Sequence, residues 1–210
     1  MLKILSFPGT RGLRITWAAE ELNIPYEYQL INLYQGEHKQ PAYRSISPLG
    51  KVPVIQDGDL VIAESGAIVT HLADKVGRMI PTCGSDARGR FEQAMYFALT
   101  ELEQPLWTIA KHTFVFPEEK RVPAIIEVAQ WEFQQALKIL NEMLADNEFI
   151  LGADFSVADI ITGQILIWAQ NAKQPIPFDS ISAYAERVVA RPALKRAKEA
   201  EAQAKNHLQS

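Results

Sequence analysis

Strand-forming and helix-forming segments alternate through the first eighty residues of the chain, and from Asp86 onward strand signals vanish. That change restricts the fold more than any other feature. One half must build a sheet with helices against it, and the other must pack helices on helices. Leu2–Ser6 is a short apolar run ended by Pro8–Gly9. Helical spacing follows from Gly12 to Leu22, with Leu13, Trp17 and Leu22 facing inward, and Asn23 and Pro25 stop it. Tyr26–Ile31 alternates as a strand does. Val52–Ile55 and Leu60–Ala63 flank Asp57–Gly58, a hairpin turn signal. Glu64–Lys75 reads as a helix, with Gly77 where a left-handed C-terminal glycine belongs. The order is β-α-β, an irregular connection holding a helical turn near Pro41–Arg44, then β-β-α.

Long helical patterns cover Asp86–Phe114, Val122–Ala145, Val157–Ala172, Ile181–Val189 and Ala193–Gln203. Pro105 falls inside the first and is expected to disturb it. The composition break at Gly77–Gly89 divides the chain into an α/β domain over residues 1–80 and an all-helical domain over residues 86–210.

Several function classes drop out on composition. With 21 basic and 25 acidic residues the formal net charge is −4, which gives no general footprint for nucleic acid or anionic membrane. The one cysteine, Cys83, forbids an intrachain disulfide and a Cys-rich zinc site, so a reducing compartment is expected. His38, His71, His112 and His207 are scattered, and no metal site is expected. The apolar start of MLKILSFPG reaches Pro8 too soon for a secretory core, and no stretch approaches the ~20 apolar residues of a membrane span. The expected location is cytoplasmic.

Four short segments carry chemistry or folding information. In Ser47-Pro48-Leu49-Gly50-Lys51-Val52-Pro53-Val54, a proline opens a strand, a position it tolerates at an edge or in a cis turn. An ordinary edge proline fits that pattern. A cis Val52–Pro53 bond would leave the Val52 backbone N–H and C=O facing outward, available to an extended peptide. Ser65 in Glu64-Ser65-Gly66-Ala67-Ile68 stands at a helix start, where N–H groups favour a carboxylate, while Glu64 suits an ammonium. A plain helix cap is the simpler role for Ser65. Gly36-Glu37-His38-Lys39 lies in a loop and offers cationic or donor groups. Finally, Ser156 with Asp159 is a capping box, a folding signal with Phe155 and Ile160 at the staple positions.

In order and spacing, SPLGKVPVI, ESGAIVTHLADK, GEHK, GADFSVADI and RPALKRA resemble the cytosolic glutathione S-transferases over nearly the whole chain. GEHK and ESGAI are closest to the theta-related bacterial and fungal branches. The resemblance implies a thioredoxin-like N-terminal domain, an all-α C-terminal domain and a homodimer. It implies glutathione as co-substrate on the first domain, and a hydrophobic small-molecule electrophile as its target. Val52, before the family's cis-proline at Pro53, would pair with the cysteinyl backbone. Glu64 and Ser65 would hold the γ-glutamyl end, and His38, Lys39 and Lys51 would lie near the glycyl carboxylate.

The sulfur activator follows less directly. Only the thiolate is a competent nucleophile, and a thiol with pKa about 8.5 is mostly protonated at neutral pH. Tyrosine-type members place a hydroxyl just after the first strand, where this chain has Phe7. Serine-type members carry the hydroxyl four residues before an arginine, which from Arg14 gives Thr10. Ser6 and the Arg11 or Gly12 backbone N–H groups are the alternatives, and Thr10 would also serve as a simple cap. The absence of cysteine at the first helix speaks against a glutaredoxin-like or omega-type mixed-disulfide enzyme. A non-catalytic glutathione-transferase-like binding or regulatory module, or a glutathione-dependent peroxidase, dehalogenase or isomerase using the same thiolate, fits the same motifs.

Overall fold

The computed structural model describes residues 1–206, so His207 lies outside the described residues. Its chain divides into two compact units, Met1–Ile80 with the segment from Ala190 onward, and Pro81–Val189. The first unit contains β1 (Leu2–Ser6), α1 (Gly12–Leu22), β2 (Tyr26–Leu30), a 3-10 turn (Glu37–Lys39) and α2 (Pro41–Arg44). These are followed by β3 (Val54–Asp57), β4 (Leu60–Ala63) and α3 (Ser65–Val76). The sheet order is β2-β1-β3-β4, with β1 and β2 parallel and the other pairs antiparallel. This is the thioredoxin-like arrangement.

Successive strand residues face opposite sides of a sheet. Leu5 and its partner Val54 therefore share one face, where they cluster with Ile31 and Tyr43 of the covering connection. Ile4 and its partner Ile55 take the other face; both are fully buried. There α1 packs on β1 and α3 on β3 and β4. Gly77 ends α3 at φ 69°, as its position in the sequence predicts.

The second unit is all-helical: α4 (Asp86–Phe97), α5 (Glu103–Ala110), α6 (Ile125–Leu144), α7 (Val157–Asn171) and α8 (Asp179–Val189). A π-helical turn, Ala98–Leu102, joins α4 to α5 just ahead of Pro105. Proline has no N–H for the carbonyl four residues back, here that of Glu101, so the regular ladder cannot run through this point. The capping box at the start of α7 is formed. Asp159 accepts from the Ser156 backbone N–H (2.8 Å), the Ser156 hydroxyl (2.9 Å), the Ile150 N–H (2.9 Å) and the Tyr184 hydroxyl (2.9 Å). Among the described residues no helix is long and apolar enough to cross a membrane.

The last helix, α9 (Pro192–Asn206), packs on α1 and β2 and so belongs to the first unit, although the composition break grouped it with the other helices. Arg191 makes a two-pronged contact with Glu21 (2.5 and 2.8 Å), and Arg196 bonds Glu20 (2.7 Å). With α3 on one side and α9 on the other, α1 is buried almost all round, which explains why its apolar pattern is not confined to one stripe.

Candidate functional site

Strand register brings four loops to one end of the sheet. Ser6 pairs with Leu30, so parallel β1 and β2 finish together. Leu5 pairs with Val54 and Val54 with Ala63, so β3 starts and β4 finishes at that same end. The turn after β1, the loop holding His38 and Lys39, the Val52–Pro53 pair and the Glu64–Ser65 pair therefore converge, though they are far apart in sequence. Sequence reasoning named all these residues but had no register with which to assemble them.

Val52–Pro53 is cis. The strand ladder begins at Val54, so the Val52 backbone stays outside it. Ahead of it, Ser47 and Tyr43 staple the loop. The Tyr43 hydroxyl donates to the Lys51 carbonyl (2.8 Å), as does the Ser47 hydroxyl (3.0 Å), and Lys51 N–H returns to Ser47 Oγ (3.3 Å). Burial pushes the Tyr43 phenol up to about 12, which keeps it a donor at physiological pH. The Lys51 backbone is thus fixed while its side chain stays exposed. Gly50 sits at φ 60°, and a Cβ there would stand 2.8 Å from the His38 carbonyl oxygen. Only glycine allows the Gly36–Lys39 loop to lie this close to the Lys51 loop. Lys39 is exposed, whereas the His38 Nδ1 is enclosed without a hydrogen-bond partner. Burial, then Lys39, pulls the His38 pKa down, so at neutral pH it offers a neutral imidazole.

Glu64 holds φ 70° and ψ 113°, a backbone conformation that costs a non-glycine residue ~1–3 kcal/mol. Its carbonyl accepts the first bond of α3, from Ile68 N–H (2.9 Å), and its side chain is exposed. Ser65, 5% exposed, is the first residue of α3, and Glu64 before it, at the N-cap, makes no side-chain capping bond. The Ser65 Oγ accepts from Arg14 Nη1 at 2.9 Å, across 51 residues of sequence. Arg14 is fully buried in α1. A guanidinium that donates to Oγ leaves the Ser65 proton for another acceptor and strengthens it as a donor. Sequence reasoning used Arg14 only as a landmark; an arginine inside an apolar helical stretch was the signal it passed over.

The turn after β1 is organised by Thr10 and two glycines. Thr10 Oγ1 donates to the Phe7 carbonyl (2.6 Å), accepts from Gly12 N–H (3.2 Å) and lies 3.4 Å from Ser6 Oγ. Gly9 adopts φ 78°. A Cβ on Gly12 would stand 1.7 Å from Ser6 Oγ, so this glycine lets α1 start directly over the end of β1. Ser6 is fully buried, with its hydroxyl beside that of Thr10. The Phe7 ring meets Tyr34 edge-on at 5.1 Å, joining this turn to the loop after β2. Chemically, this end of the sheet offers a backbone edge, a helix N-terminus with a polarised hydroxyl, a carboxylate and nearby lysines. Those groups suit a small extended peptide carrying both charges. Among the described residues no three His, Cys, Asp or Glu side chains are grouped to hold a metal ion.

Two family models match the sequence: the glutathione S-transferase N-terminal domain over residues 1–74 and the C-terminal domain over residues 123–196. Glutathione S-transferase F10 of Arabidopsis thaliana is 31% identical over 146 residues, 67% of each chain. The disulfide-bond oxidoreductase YfcG of Escherichia coli strain K12 is 27% identical over 205 residues, 94% of each chain. A crystal structure of a glutathione transferase family member from Pseudomonas fluorescens pf-5, with two glutathione bound, superposes with a TM-score of 0.84 at 26% identity, over 94% of this chain and 92% of that one.

Proposed function

Because this chain belongs to the glutathione S-transferase family, we propose that it binds glutathione at the converged end of its sheet and activates the thiol for attack on a hydrophobic electrophile. The observation that carries this reading is the Arg14–Ser65 bond beside the strained Glu64, at the same sheet end as the cis Val52–Pro53 pair. Val52 pairs through its backbone with the cysteinyl unit. Ser65, its proton freed by Arg14, and the N–H groups opening α3 hold the γ-glutamyl carboxylate, and Glu64 faces the ammonium. Lys51 and Lys39 meet the glycyl carboxylate, with His38 as a neutral neighbour.

This pose leaves the sulfur at the turn after β1, where Thr10 donates to it and favours the thiolate. The Thr10 proton is engaged by the Phe7 carbonyl, so the hydroxyl rotates away from that carbonyl when sulfur arrives. Lowering a thiol pKa from about 8.5 by one unit corresponds to about 1.36 kcal/mol. The thiolate then adds to, or displaces a leaving group from, the electrophile, and the thiol proton goes to solvent. A twofold homodimer in the cytoplasm, acting in detoxification, is the setting proposed. Calorimetric titration with glutathione and thiolate absorbance of the complex test the reading. Binding with a lowered thiol pKa is expected. Thr10→Ala should raise that pKa and slow conjugation while leaving affinity within a few-fold. No binding at millimolar glutathione would leave the non-catalytic alternative.

One observation favours a second reaction at the same site. The relative matched over 94% of both chains is named a disulfide-bond oxidoreductase, and the Phe7–Gly12 turn of this chain contains no cysteine. Exchange would then use two glutathiones. The first thiolate attacks a substrate disulfide, forming a mixed disulfide and releasing one thiolate; the second attacks that mixed disulfide, giving oxidised glutathione and the other thiol. Comparing rates with a small organic disulfide and with a conjugation substrate separates the two reactions.

A further inference from the structure

Beneath the turn after β1, on the side facing the last helix, lies a polar cluster with no role in the binding scheme above. Glu201 of α9 is only 4% exposed. The Gly9 backbone N–H and the Thr16 hydroxyl both donate to its carboxylate. Thr16 Oγ1 lies 3.0 Å from the Gly12 carbonyl and 3.3 Å from Glu201 Oε1, so one side chain touches both the opening of α1 and the carboxylate. The Tyr28 hydroxyl of β2 is enclosed beside them without a well-formed hydrogen bond, with the Ser6 hydroxyl as its neighbour. A buried acid that spans the last helix and the sulfur-facing turn is costly to keep, and nothing in helix packing requires it.

We propose that Glu201 is a positioning residue for the thiol-activating turn: through Gly9 N–H and Thr16 its carboxylate holds the turn after β1 and the opening of α1, and so sets where Thr10 stands. The proposal rests on the reading that this turn receives the glutathione sulfur. When Glu201 is ionised it accepts from Gly9 and Thr16. When it is protonated, one oxygen becomes a donor and the grip on Gly9 weakens. Burial, opposed only by those two donors, raises the Glu201 pKa from 4.5 to about 7. The groups facing it are Thr16 from α1 and the Tyr28 and Tyr26 phenols from β2, both pushed above their usual range chiefly by burial. Glu20 of α1 and Arg196 of α9 pair with each other nearby. Among the described residues no cation pairs with Glu201, so the turn tightens as pH rises through neutrality.

The test uses full-length protein and two variants. In the parent without glutathione, the Gly9 amide resonance should shift with pH with a midpoint near 7, and in Glu201→Gln that titration should disappear. Glutamine resembles the protonated acid, so Glu201→Gln should hold conjugation near the parent's low-pH level at every pH, and the limb near neutral pH is lost from kcat/KM. Glu201→Ala removes the acceptor and should lower kcat by about tenfold, with KM for glutathione within a few-fold. A Gly9 amide that does not titrate in the parent, or titrates equally in Glu201→Gln, overturns the proposal. Because the Gly9 measurement needs no glutathione, it decides the matter even if the protein proves not to bind glutathione, a result that would instead count against the proposed function.

Discussion

Glu201→Gln should make the protein more resistant to denaturation at alkaline pH while leaving it nearly unchanged in mild acid. The carboxyl is 4% exposed and its pKa rises from 4.5 to about 7 on folding, because burial disfavours the charge more than Gly9 and Thr16 favour it. The folded state therefore holds the proton more tightly than the unfolded state. The stabilisation from this group is fully present below about 4.5 and is lost as pH rises through about 7. At about 1.36 kcal/mol per pH unit, the loss is on the order of 3 kcal/mol by pH ~8. Glutamine mimics the protonated acid and does not titrate, so subtracting parent from variant isolates this one group from every other ionisation. Urea unfolding of both proteins at matched chain concentration, between pH ~5 and ~8, reads the difference. It should grow with pH by roughly 3 kcal/mol, which in a chain of this size corresponds to about 6–12 °C in Tm. A difference that is flat across this range would mean that Glu201 keeps an ordinary pKa, and the account of its burial would be wrong.

Three further outcomes test the site and the fold. Ser65→Ala removes a hydrogen bond to a charged group, worth about 1.5–3 kcal/mol, so calorimetry should register glutathione affinity roughly tenfold or more weaker; unchanged affinity in folded protein would remove Ser65 from the γ-glutamyl pocket. Glu64→Gly relieves the φ 70° backbone and loses the carboxylate, so it should gain about 1 kcal/mol in stability yet bind glutathione more weakly. Gly12→Ala drives a methyl group into Ser6 Oγ and should destabilise by about 1–3 kcal/mol. The Ser6→Gly/Gly12→Ala double variant should recover part of that loss in thermal melts, and no recovery would assign the clash elsewhere.

Local chemistry makes much of this protein legible in its sequence. Leu2–Ser6, Gly12–Leu22, Leu60–Ala63 and the turn at Pro41–Arg44 have the boundaries that their apolar runs and flanking prolines, glycines and asparagine indicate. The Ser156–Asp159 capping box and the left-handed Gly77 are likewise readable, because their hydrogen bonds close within a few residues of chain. Segment ends differ where tertiary contacts decide them: β3 starts at Val54, after Pro53, because a strand enters the ladder only where its neighbour offers partners. Motif resemblance names Val52, Pro53, Glu64 and Ser65, but their meeting depends on register between strands dozens of residues apart. Arg14 behind Ser65 is hidden for the same reason, since the bond spans 51 residues. So is the packing of α9 on α1, which buries Glu201 under Gly9. A sequence records each residue's own propensities, whereas the burial that polarises Ser65 and lifts the Glu201 pKa belongs to the desolvation that remote segments impose on one another.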